Sequence, residues 1–158
     1  MPDQKPPRLV RGERETLHAL LQYQRDSLVR KVDGLDEASA RKALVPSGTT
    51  LLWLMKHMAR AECLWIVHRF AGEDLTDLHD AVQPEDTLAD AVAAYRATWT
   101  RVDGIVEMSL GLDEICRRVG DEAPVNLRWV LMHLLEETAR HAGHADILRE
   151  LIDGEQGR

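Results

Sequence analysis

Aromatic residues are scarce in this chain of 158 residues, with one Phe, two Tyr and four Trp. Short runs of Val, Ile, Thr and aromatics alternating with polar residues are also rare, which argues against a core built from β-sheet. Two cysteines, Cys63 and Cys116, are too few for a disulfide scaffold and form no C-x-x-C pair, so a reducing, cytoplasmic setting is expected. No apolar run reaches the length of a membrane span or a secretory signal, so no membrane partner is expected. Positive charge is in deficit: Lys+Arg 20 against Asp+Glu 27 leaves a formal net charge of −7, which opposes a surface that tracks phosphates and speaks against nucleic acid as a partner. Glycine-rich nucleotide loops, a G-x-S-x-G elbow and an H-E-x-x-H zinc motif are all missing.

What is present reads as helix. Leu, Ala, Arg and Glu dominate a composition that is 44% hydrophobic, and the length suits a single domain with an apolar core. Residues 1–10 hold three of the six prolines and are expected to form a mobile tail. Residues 11–154 form the domain, and 155–158 a short C-terminal tail. The apolar spacing predicts long helices over residues 11–32, 49–70, 88–108 and 126–152, with a short helical connector over 36–43. Thr49 or Thr50, Thr87 and Asn126 are available as N-caps, and Gly34, Gly72 and Gly154 as stops. Four amphipathic helices of this length bury their stripes in a four-helix bundle, an all-α fold.

The pattern breaks its own rule on the last helix. With Val130 at zero and 100° per residue, Leu134, His141, Leu148 and Ile152 fall within about 40° and Glu137 at about 340°. A carboxylate and an imidazole therefore lie inside an apolar stripe, one turn apart. On the second long helix His57 shares its face with Leu54, Ala61 and Leu64, with Trp53 near about 320° and His68 near about 20°. Lone buried charges are costly, so these groups should meet one another or a cation. Two imidazoles and a carboxylate match the three-ligand pattern of an open divalent-metal site. Hydrogen bonds that merely fasten the helices would satisfy the same groups, and the wheel does not separate the two readings.

His144, at about 320°, is an alternative ligand to Glu137 or a proton-handling group beside the site, and His133, at about 300°, a structural or orienting neighbour. His68 lies three turns beyond His57, too far to share its ion. His18 and His79 show no converging partner, and the tryptophans are expected in the core. Cys63 falls near about 240°, away from His57, and Cys116 has no evident base, so neither cysteine is expected to react.

Two blocks carry a family resemblance: Thr50 to Ala59 (TLLWLMKHMA), followed by Glu62 and Trp65, and Arg128 to Asp146 (RWVLMHLLEETARHAGHAD). They resemble the DinB-like superfamily, in a branch similar to the N-terminal domain of mycothiol-dependent maleylpyruvate isomerase. The resemblance implies a four-helix bundle with long crossover connections, frequently dimeric. It also implies a divalent metal held by His57, Glu137 and His141, with zinc expected first and nickel, iron or manganese as alternatives. The activity it implies is S-transfer or isomerisation of a small-molecule substrate with a low-molecular-weight thiol such as mycothiol. A non-catalytic dimeric module that binds a metal or small ligand is the alternative.

Overall fold

The computed structural model describes residues 4–75, 79–120 and 123–156. Four long helical rods account for most of it. Helix α1 spans Glu13–Arg30, and α2 is a single turn, Glu37–Ala40, capped by Asp36. Helix α3, Leu51–Glu62, runs on without a break into a π-helical stretch, Cys63–Phe70. Helix α4 spans Leu88–Met108 and α5 Leu127–Asp153. Thr50, Thr87 and Asn126 each accept a hydrogen bond from the backbone N–H three residues on, which satisfies one of the orphan donors at a helix start. Gly154 closes α5 in the left-handed region at φ 79°, where a side chain would be strained. Among the described residues there is no strand, only an isolated antiparallel bridge between Ile115 and Asn126, and no helix is long and apolar enough to cross a membrane.

The bundle is two helix pairs laid together. Helix α1 packs chiefly on α5 and α3 chiefly on α4, while α3 and α5 touch more sparingly. That sparse seam is where a cleft can open. Apolar packing fills the interior in two clusters. One gathers Leu28, Val32, Leu52, Leu54, Met55, Met58 and Leu148, the other Leu21, Ile66, Val67, Val102, Leu127 and Leu131.

Between them lies a polar layer. Arg25 of α1 is fully buried, donating from Nε and Nη2 to the two carboxylate oxygens of Glu62 at 3.0 and 2.6 Å, and from Nη1 to Asp103 Oδ1 at 2.8 Å. Tyr95 is buried beside Glu62, and its ring meets Trp99 edge-on at 5.0 Å. His18, expected to lack a partner, places Nε2 3.2 Å from Asp103 Oδ1. Burial pushes the Glu62 carboxyl up, and the guanidinium beside it opposes that push. The spacing that hid this layer is visible in retrospect: Arg25 occupies the turn between Leu21 and Leu28, a charged residue inside an apolar stripe.

The π-helical stretch changes which residues face inward. Its wider winding, with Ala71 N–H donating five residues back to Ile66 at 2.8 Å, advances the chain by less than 100° per residue. Cys63, which the wheel turns away from His57, is buried on its own side of the rod, while Leu64 and His68, expected on the inner face, are half-exposed. His68 Nδ1 lies 2.9 Å from the Glu73 carbonyl. Burial raises the thiols of both Cys63 and Cys116, which keeps them protonated and unreactive.

Replacing Arg25 by Met leaves the Glu62 carboxylate without its partner and is expected to lower stability by about 3–5 kcal/mol in urea unfolding. The double change Arg25→Met with Glu62→Leu is expected to recover much of that loss. A single-variant loss under about 1 kcal/mol would show that the layer does not hold the bundle together.

Candidate metal centre

The residues that break the apolar stripes meet at the α3–α5 seam. His57 comes from the middle of α3, and Glu137 and His141 project from successive turns of α5. One ligand atom from each lies within 4.8 Å of the others, and among the described residues this is the one such cluster of His, Cys, Asp and Glu. Glu137 Oε1 is 3.3 Å from His141 Nε2 and 4.0 Å from His57 Nε2. The three are partly screened, with side-chain exposures of 20% for His57, 24% for Glu137 and 11% for His141. An incoming small molecule can therefore still reach them.

Neighbouring side chains hold the donors in place. Trp53, one turn before His57, stacks on its ring at 4.4 Å and an interplanar angle of 16°, so this tryptophan is a wall of the site as well as a packing residue. The other nitrogen of His57 is engaged: Nδ1 lies 3.0 Å from Asp80 Oδ2. That hydrogen bond holds the Asp80 carboxyl below the ordinary carboxylate range. His144 reaches the far side of His141, Nδ1 to Nδ1 at 3.4 Å. It also lines a cavity of about 250 Å³ with Val45, Ser47, Thr49, Ile147 and Leu148. His141 itself is pushed down by burial and by the His57 ring next to it, with Glu137 opposing, so it is neutral and has a lone pair to donate near pH 7.

These observations fit a cation. The donor set is two imidazoles and one carboxylate, the facing atoms are His57 Nε2, His141 Nε2 and Glu137 Oε1, and the opposite nitrogen of each ring is taken up by another side chain. Of the other histidines, His133 packs its ring against Trp129 at 4.9 Å and Trp65 at 4.7 Å, two turns before His141. Trp129 is 44% exposed instead of lying in the core. Arg140 pairs with Glu136 on the outer face. Asp80 was not foreseen: it lies in an irregular segment, where no periodicity marks a side chain as inward.

The family model for mycothiol-S-transferase matches residues 16–154. The chain belongs to the mycothiol-S-transferase family. Solved structures agree on the DinB-like fold of this family member. A DinB-like protein from Bacillus cereus superposes with a TM-score of 0.71 at 19% identity, covering 87% of this chain and 91% of that one. A conserved protein from Enterococcus faecalis gives 0.65 at 17% identity, covering 92% and 100%. The sequence matches none of the curated proteins.

For this family member without added metal, acid is expected to cost stability at the site. A histidine whose folded pKa lies below its unfolded value binds its proton more readily in the unfolded chain, so stability falls as pH drops below the ordinary 6.5 towards the lower folded value. His18, raised by its bond to Asp103, gains stability in the same range, so the test is the difference between two slopes. From about pH 8 to pH 5 the urea midpoint of His141→Gln should move less towards instability than that of the native sequence; equal slopes would contradict the burial argument.

Proposed function

We propose that this protein is a divalent-cation-dependent S-transferase that joins a low-molecular-weight thiol of the mycothiol kind to a small electrophile. The observation that carries the reading is the convergence of His57, Glu137 and His141 within 4.8 Å in a partly screened cleft. Membership of the mycothiol-S-transferase family supports the choice of thiol. His57, Glu137 and His141 would hold the cation, zinc being the first candidate from the nitrogen-rich donor set. When bound, the cation supplies Lewis acidity that lowers the pKa of a thiol near neutral pH.

The remaining work falls to the chain's own side chains. Trp53 fixes the His57 ring by stacking and closes one side of the cleft to water. His144 takes up the far nitrogen of His141 and so orients that ring, and the proton that leaves the thiol passes to solvent at the open side of the cleft. The cavity His144 shares with Val45, Ile147 and Leu148 is largely apolar and suits the body of an electrophile presented to the sulfur. A carbon–sulfur bond forms at the electrophilic carbon, and the leaving group departs with the displaced electron pair.

The purified protein is expected to bind about one zinc per chain by calorimetry and to consume mycothiol with an alkylating electrophile such as monobromobimane. His57→Ala should lower that rate by at least about 100-fold with the helical spectrum unchanged. Stoichiometric zinc binding without product, across several thiols and electrophiles, would move the assignment to a binding module; no binding of any divalent transition metal would remove the centre altogether.

A further inference from the structure

We propose that Asp80 is the positioning residue of His57, delivered by a strap formed by residues 79–86. The inference rests on the metal reading above and extends it to a segment that no motif or periodicity marks.

A neutral imidazole carries one proton, on either nitrogen, and the nitrogen that carries it cannot ligate. His57 faces Glu137 and His141 through Nε2 and Asp80 through Nδ1. A carboxylate only accepts, so the 3.0 Å contact requires the proton on Nδ1 and leaves the Nε2 lone pair aimed at the cleft. Trp53 restrains the ring plane by stacking, and Asp80 sets its rotation and its tautomer. The ligand is thereby organised before any cation arrives.

The strap explains how a loop residue can do this. Lys56, the neighbour of His57 on α3, donates from Nζ to the Ala81 carbonyl at 2.8 Å and pairs with Asp86. Asp86 in turn accepts from the Gln83 backbone N–H at 2.7 Å. Arg41, just beyond α2, donates to the carbonyls of Gln83 and Pro84, each at 3.2 Å, and to that of Asp86. Val82 packs against the apolar core. Carbonyls that an irregular segment would leave to water are thus taken up by two cations, one on α3 and one just after α2, and Asp80 is held at the mouth of the seam.

The test uses the full chain and zinc alone. Without metal, at a pH where the ring is neutral, nitrogen-15 NMR of the imidazoles is expected to show His57 with its proton on Nδ1 in the native sequence and largely on Nε2 in Asp80→Ala. Zinc affinity, measured by chelator competition, should weaken by about 10–100-fold in Asp80→Ala. Asp80→Asn, whose amide oxygen can still accept, should recover most of both signals. Lys56→Gln, which loosens the strap but leaves Asp80 in place, should shift affinity in the same direction and by less. An unchanged tautomer in Asp80→Ala overturns the proposal, whether or not the affinity moves, because the aspartate would then act by charge or by tethering alone. If the native chain binds no zinc, the metal reading fails; the tautomer spectrum still decides the role of Asp80.

Discussion

One buried ion pair ties the bundle together. Apolar packing is closest between α1 and α5 and between α3 and α4, and both apolar clusters bring side chains of the two pairs together. Arg25 of α1 reaches across to Glu62 of α3 and Asp103 of α4, crossing from one pair to the other. The Arg25 and Glu62 side chains are fully buried, and neither charge can leave without stranding the other, so the contact favours the alignment in which they meet. The two apolar clusters on either side can then pack against a fixed reference.

That alignment governs the geometry of the candidate site. His57 belongs to one helix pair and Glu137 and His141 to the other, so their distances depend on how the pairs are registered. Glu62, the partner of Arg25, lies five residues beyond His57 on the same helix. The π-helical winding starts immediately after Glu62, which leaves the α-helical register intact from Thr50 through His57 and changes it only where the chain has passed the site. The seam between α3 and α5 stays lightly packed, and its polar side chains find their partners in one another and in the strap and rim residues Asp80 and His144.

The inward placement of Glu137 and His141 was legible because regular helices make position a function of count. Glu137 and His141 stand in a stripe with Val130, Leu134 and Leu148, and the Thr50, Thr87 and Asn126 caps set three helix starts. The same logic failed beyond Glu62, where eight π-helical residues invalidated the 100° step and left Leu64 and His68, counted on the inner face, half-exposed. It was also silent on Arg25, although the signal stood between Leu21 and Leu28. A single charged residue in a stripe says that a partner exists and not which one it is.

The sequence by itself determined an all-helical chain, the extents of its rods to within a few residues, and the face of each rod on which His57, Glu137 and His141 stand, because these follow from propensity, capping and a period of 3.6 residues. Only the tertiary structure decided that the two faces meet within 4.8 Å, that Arg25 answers Glu62, and that Asp80 takes the second nitrogen of His57. Those contacts join residues 37, 23 and about 80 positions apart along the chain, where no local period operates and the outcome depends on how whole helices and an irregular segment pack in space.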